Sequence, residues 1–256
     1  MFLERWSPAR VGAAFTDRTG GVSLPPYESL NLGKTDADDP AAVAENFARL
    51  REAIGVERVV TCWQTHSSDV LEVDEDFLSG WRPGSELGAA LPGQASLRKA
   101  DALVTTLPRV ALCVRVADCV PVLLADAEAG VVAAAHAGRV GLLGGVLEAA
   151  AASMRRLGAT RIQAWVGPHI CGRCYEVPNA MAEDAWTRLP ATRAVTAAGT
   201  PAIDLGAGAR SELERLGCSP VTSCEPCTAE TASLFSHRRD AGSTGRQCGL
   251  VWLATS

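Results

Sequence analysis

No stretch of about 18 uncharged apolar residues occurs in the 256-residue chain, so no helix long enough to cross a bilayer is expected. The first fifteen residues, MFLERWSPARVGAAF, carry scattered charges and lack the unbroken apolar core of a secretory leader, which makes the cytoplasm the expected location. Excess positive charge is missing as well. Lys and Arg number 24 against 29 Asp and Glu, a formal net charge of −5, and the densest basic run, His237-Arg238-Arg239, is followed at once by Asp240. That balance supplies no pull toward nucleic acid. Internal repeats, heptads and low-complexity tracts are absent. Histidine is scarce at four and methionine at three.

What is present is apolar residues, at 47% of the chain, and an odd number of cysteines, nine. A long, core-rich chain without a leader sits in a reducing compartment, where cysteine serves metal binding, catalysis or simple burial. The stretch from Ser79 to Ser96, rich in Gly, Pro, Ala and Leu, reads as a long loop inside one domain spanning 1–256.

Apolar residues at Val43, Phe47, Leu50 and Ile54 have helical spacing, with Pro40 before them and Gly55 after, which predicts a helix over 40–54. Similar patterns predict helices over 142–157, 179–189 and 206–216. Val-rich runs at 59–63, 70–73, 102–105, 111–116, 120–125, 131–135 and 162–166 predict strands. The expected class is α+β: a single-domain α/β sandwich with mixed sheets.

Two of those strands flank Asp126-Ala127-Glu128-Ala129-Gly130, a short polar turn, and so predict a β-hairpin. If Asp126 lies opposite Ala129, the same register sets Cys119 opposite His136, with Cβ atoms about 4.5 to 5.5 Å apart. One zinc ion could bridge such a pair, although an isolated cysteine among Val and Ala is also a common buried hydrophobe. Asp118, a carboxylate in an apolar run, favours a functional reading because burying it without a partner is costly. His66 stands in another polar group at a strand end, beside Gln64, Ser67, Ser68 and Asp69. Two histidines and one cysteine, with a fourth position left for water, form a ligand set used by catalytic zinc.

Seven ordered segments then carry a resemblance: TDRTGGVS…YESLNLG (16–33), WQTHSSDV (63–70), ADALVTT (100–106), ADCVPVLLAD (117–126), AAHAGRVGLLGGV (134–146), GPHICGRCYEV (167–177) and FSHRRDAGSTGR (235–246). Together they resemble the YfiH-like laccase-domain family, also called multicopper polyphenol oxidases. The resemblance implies a cysteine hydrolase-like (YfiH-like) fold and one metal site at His66, Cys119 and His136, holding zinc, with copper as the alternative. It implies a purine nucleoside enzyme: phosphorolysis of adenosine, inosine or methylthioadenosine, and deamination of adenosine to inosine. Arg18 and Arg238 are the expected phosphate holders, with Gln64 and Asp118 near the substrate, and the expected assembly is a monomer or homodimer. Four histidines and three methionines cannot build a set of several copper centres, so polyphenol oxidation is expected only as a side activity. Three departures bear on substrate preference. Arg139-Val140 follows HAG where the family has Trp-Arg, Ser67 replaces a Gly, and Leu24-Pro25-Pro26 replaces another.

Cys171-Gly-Arg-Cys174 and Cys224-Glu-Pro-Cys227 are two CxxC pairs, the form a zinc ribbon takes, although 49 residues between them is long for that module. Buried free thiols are the competing reading. Two other functions stay open: a Cys119/His136 hydrolase or amidase acting on cell-wall peptide precursors, and a metal-binding protein without turnover.

Overall fold

The computed structural model describes residues 1–7, 10–33, 37–91 and 93–254. In chain order the elements are β1 (Phe2–Trp6), β2 (Val11–Thr16), α1 (Pro40–Ile54), β3 (Arg58–Val60), β4 (Val70–Glu72), α2 (Glu75–Ser79), β5 (Ala102–Thr105), β6 (Val110–Val116), β7 (Val120–Asp126), β8 (Val131–Ala137), α3 (Arg139–Leu143) and α4 (Val146–Arg156). There follow β9 (Gln163–Val166), α5 (Asn179–Arg188), β10 (Arg193–Val195), β11 (Pro201–Ile203), α6 (Leu205–Arg215), β12 (Val221–Ser223) and β13 (Gln247–Leu253).

Two mixed sheets lie face to face. One runs in the order β1-β2-β13-β6-β3 and the other β12-β9-β7-β8-β5-β4, with β10 and β11 forming a separate hairpin. The layer between them is filled by Phe15, Leu112, Leu123, Val132, Trp165 and Val251. Helices α4 and α6 cover the outer face of the six-stranded sheet through Leu147, Met154 and Leu213, and α5, packed on the β10–β11 hairpin, adds Ala185 to the same apolar cluster. Helix α1 covers the other sheet through Val43, Phe47 and Leu50. The expected α/β sandwich of mixed sheets is therefore what the chain builds. Strands β7 and β8 are buried along their whole length, which is why they read as unbroken apolar runs instead of alternating ones.

Helix α1 has the expected bounds, with the Asp39 side chain accepting from Ala41 N at its start. The helix expected over 142–157 is two helices, since Gly145 takes a φ of 88° between α3 and α4. Strand β3 ends at Val60, and Trp63 makes only an isolated bridge to Lys99. The expected loop over 79–96 holds a short 3-10 turn at Ser85–Ala90, and its residue 92 lies outside the described residues. Strands β1, β2, β10, β11, β12 and β13 escape the sequence reading: β2, for one, is rich in small residues (Gly12-Ala13-Ala14), yet it pairs with β13 at the centre of its sheet.

The β7–β8 register differs from expectation by two residues. Asp126 pairs with Val131 and His136 with Pro121, so Cys119, just before β7, is not opposite His136. The cause is the turn. Asp126 Oδ1 accepts from Glu128 N and Ala129 N, which curls four residues into the loop instead of two. Its other oxygen accepts from Thr160 N and Arg161 N, tying the hairpin to the segment before β9. Burial alone would raise the Asp126 pKa, but the N–H donors of Ala129, Arg161 and Thr160 hold the carboxyl below its ordinary value. Its contribution to stability is therefore full above the unfolded value of about 3.9 and is lost as pH falls through the lower folded value. Asp126→Ala is expected to lower the unfolding free energy by about 1 to 3 kcal/mol, as four backbone N–H groups lose a charged acceptor. Urea titrations at pH 7 and below pH 4 check this, the difference from the parent shrinking at the acid end.

Candidate active site and metal centre

One end of the sandwich gathers the start of β5, the start of β7, the end of β8 and the loop before β4. Antiparallel pairing of β5 with β8 puts Asp101 beside His136, and the two residues touch twice: His136 N donates to the Asp101 carbonyl at 2.7 Å, and His136 Nδ1 lies 2.8 Å from Asp101 Oδ1. The same carboxylate accepts from the backbone N–H of Thr65, His66 and Ser67 and from the Ser67 hydroxyl. It thereby holds His66 at a φ of 63°, a left-handed conformation that costs a non-glycine residue about 1 to 3 kcal/mol. Asp101 is fully buried, and burial would raise its pKa. The hydrogen bond from His136 and the donors on Ser67 and Thr65 outweigh it and keep the group well below the carboxylate range.

Held this way, the three expected ligands converge. Cys119 Sγ lies 3.7 Å from His66 Nε2, and His66 and His136 stack edge to face with centroids 4.8 Å apart. One ligand atom from each of His66, Cys119 and His136 lies within 4.8 Å of the other two. A tetrahedral zinc, with Zn–S about 2.3 Å and Zn–N about 2.0 Å, separates a sulfur and a nitrogen ligand by about 3.5 Å, so the group fits. Gly138 leaves the space: a Cβ there would stand 2.4 Å from His66 Cδ2 and 3.1 Å from Cys119 Sγ. His136 Nδ1 is taken by Asp101, which leaves Nε2 to face an ion, the carboxylate–histidine arrangement of metal centres. The charges are complementary. Burial opposes ionisation of Cys119, but the His136 charge and hydrogen bonds from His136 and His66 bring its thiol down to about 6. Burial likewise opposes charging of His136, and the Cys119 thiolate with Asp101 pushes it up to about 9.

Above the cluster opens a cavity of about 460 Å³, lined among others by Trp63, Gln64, Arg115, Tyr175, His237 and Arg238. Asp118 also lines it, at a φ of 93°, with its carboxylate accepting from the Thr228 hydroxyl and from Arg238 N. Asp118 thus positions the 228 and 238 segments. Arg238 reaches the Glu176 carbonyl and covers the Tyr175 ring. Gln64 spends both ends of its amide on the backbone of Arg115, at 2.9 Å each. Arg18 is not among the lining residues: it donates to the Glu28 carbonyl, pairs with the Glu28 carboxylate and lies over Phe235.

Asp101, Arg115, Tyr175 and His237 were given no role by the sequence reading. For Asp101 the signal was available, since ADALV repeats the ADCV pattern of a carboxylate just before a buried strand. The departures noted above also find their places. Ser67 adds its hydroxyl to Asp101, and Arg139 lies against the Tyr175 phenol on the cavity wall.

The cysteine set regroups. Cys171, Cys174 and Cys227 come together with Glu230, whereas Cys224 lies apart, packed against the inter-sheet core. Four free thiols in one ribbon is therefore not the arrangement.

The family model described as multi-copper polyphenol oxidoreductase laccase matches residues 12–254. The chain belongs to that family. It is similar to a protein of Streptomyces coelicolor named purine nucleoside phosphorylase, 48% identical over 243 residues that cover 93% of this chain and 94% of the relative. A protein of Mycobacterium tuberculosis with the same name is 47% identical over 248 residues, covering 95% and 92%. Among solved structures, YlmD from Geobacillus stearothermophilus superposes with a TM-score of 0.85 at 30% identity, covering 100% of this chain and 98% of the other. Protein NMB0706 of Neisseria meningitidis does so at 0.80 and 36% identity, covering 99% of each.

Two substitutions separate positioning from folding. Asp101→Asn should weaken metal retention by about 10 to 100-fold, the usual loss when the partner of a ligating histidine is removed. Gly138→Ala, at a φ of −73° that any residue adopts, should do the same with little change in thermal midpoint. Metal analysis after dialysis, read beside a melting curve, checks both.

Proposed function

We propose that this chain is a purine nucleoside phosphorylase that also deaminates adenosine, that it is one laccase domain over 1–256, and that His66, Cys119 and His136 hold a zinc ion beneath the reaction cavity. The observation that carries the reading is the three-ligand cluster opening on a cavity lined by arginines and aromatic rings, in a chain 47 to 48% identical to relatives named purine nucleoside phosphorylase. Three protein ligands are the number that catalytic zinc sites keep, whereas structural sites close with four.

In phosphorolysis a phosphate oxygen bonds to C1′ of the ribose while the bond from C1′ to the purine nitrogen breaks, giving free base and ribose 1-phosphate. Arg115 and Arg238 supply positive charge for the phosphate, each guanidinium anchored by a backbone carbonyl, Cys62 and Glu176 respectively. Trp63 is 57% exposed at the rim, and with Tyr175 it offers a ring face to the purine. Burial of Tyr175 and the nearby Cys119 charge raise the phenol pKa, so it stays protonated at neutral pH and its O–H can donate a hydrogen bond to the purine. Val116, Ile170 and Leu205 provide apolar wall suited to the methylthio group of methylthioadenosine. Asp118 and Gln64 act through others, one holding Arg238 and the other the backbone of Arg115. When bound, zinc supplies Lewis-acid chemistry and a nucleophile at neutral pH for the hydrolytic deamination. Copper in the same site would account for phenol oxidation as a side activity.

The short Cys119–His66 distance also favours a second reading, a thiolate hydrolase of the cysteine hydrolase-like kind, in which His66 or His136 is the base. Purified protein given adenosine and phosphate is expected to form adenine and ribose 1-phosphate, and inosine when phosphate is omitted. Chelation and Cys119→Ala should each reduce both rates by about a hundredfold or more. Protein that leaves adenosine unchanged but hydrolyses a cell-wall peptide amide, at a rate that survives or rises on chelation, would instead select the thiolate hydrolase.

A further inference from the structure

A second cluster lies outside this cavity. Cys171 and Cys174 belong to the turn that follows β9, and Cys227 and Glu230 to the turn that follows β12. Neighbouring parallel strands β9 and β12 bring the two turns side by side, and they are joined by the bridge between His169 and Cys227. Each turn has the same backbone form. Cys174 N and Tyr175 N both donate to the Cys171 carbonyl, and Glu230 N and Thr231 N both donate to the Cys227 carbonyl.

The sulfur atoms are the telling part. Cys171 N, in one turn, donates toward Cys227 Sγ, in the other, at 3.4 Å. A neutral thiol is a weak acceptor, so a backbone N–H aimed from one turn at the sulfur of the other suits a thiolate ligand. One ligand atom from each of Cys171, Cys174, Cys227 and Glu230 lies within 4.8 Å of the others. Cys227 is buried and Cys171 and Cys174 are half-buried. Three cysteine sulfurs and a carboxylate that converge on one point have the donor set and number of a closed metal site. Tetrahedral zinc, with Zn–S about 2.3 Å, sets sulfur atoms about 3.8 Å apart, within reach of small side-chain shifts. Arg173, 3.7 Å from the Glu230 carboxylate, stands outside this group as its partner at the surface.

We propose that Cys171, Cys174, Cys227 and Glu230 form a second, closed zinc(II) site, a CxxC paired with a CxxE, that braces one wall of the cavity. Soft thiolate donors select zinc over magnesium or calcium, and four protein ligands leave no position for substrate, so the site is structural. The bracing is direct in the chain. Ile170 and Tyr175, on either side of the CGRC turn, line the cavity, and Thr228, next to Cys227, holds Asp118.

The site stands apart from the proposed activity, and its test does not use turnover. Protein purified without chelator should carry two zinc ions per chain by elemental analysis, Cys119→Ala one, Cys174→Ser one, and the double variant none. Reconstitution of Cys119→Ala with cobalt(II) guards against a folding failure in Cys174→Ser. The remaining site should then show sulfur-to-cobalt charge transfer and tetrahedral d–d bands, and Glu230→Gln should shift the d–d bands while the charge transfer persists. Alkylation of the native protein should spare Cys171, Cys174 and Cys227 until metal is removed. A Cys119→Ala protein that holds no zinc and shows no such bands would overturn the proposal, as would a disulfide between Cys171 and Cys174 in protein purified under reducing conditions.

Discussion

The candidate active site depends on one buried carboxylate. Asp101 accepts from the backbone of 65–67 and from His136, so a single side chain sets the path of a loop and the orientation of a ring that come from distant parts of the sequence. Burying an unpaired carboxylate costs several kcal/mol. Hydrogen bonds to a charged group return about 1.5 to 3 kcal/mol each, and several of them turn the balance, as the lowered pKa of Asp101 reflects. The left-handed backbone of His66 is tolerated because that same carboxylate holds its N–H.

Asp118 repeats the device at β7, on the other side of β8. It too stands just before a buried strand, is nearly buried, and ties down residues from much later in the chain: the hydroxyl of Thr228 and the amide of Arg238. The two aspartates divide the cavity between them. One organises the side that carries His66 and His136, and the other the side that carries Arg238. Between them Cys119 emerges at the start of β7, opposite Gly138, whose missing side chain is what lets sulfur and imidazole approach.

Much of this was readable in advance where the signal is local. Helix α1 followed from spacing and caps, and β5 through β8 from Val-rich runs bounded by polar residues. Cys119 and His136 stood out because a titratable group at the end of a buried strand is unusual, and His66 because it stands in a dense polar group beside Gln64, Ser67, Ser68 and Asp69. The hairpin register was misjudged because turn length depends on which backbone N–H groups Asp126 captures, and composition does not encode that choice. Gln64 and Arg18 looked like substrate holders because their polarity was visible and their partners were not: the Arg115 backbone for one, Glu28 and Phe235 for the other. Glu230 drew no notice because a surface glutamate has no distinguishing neighbours in sequence, while Cys224 drew too much because CxxC is a pattern of spacing alone.

The sequence by itself determined helix α1, strands β5 to β8, the family and the three residues His66, Cys119 and His136, since periodicity, turn residues and isolated polar groups in apolar runs all act over a few residues. Tertiary structure alone decided which polar groups meet. The pairing of β5 with β8 placed Asp101 on His136, and the adjacency of β9 and β12 joined Cys171 and Cys174 to Cys227 and Glu230. Hydrogen bonds and ligand sets act over about 3 to 4 Å, and only the packed sheets bring residues from separate strands within that range.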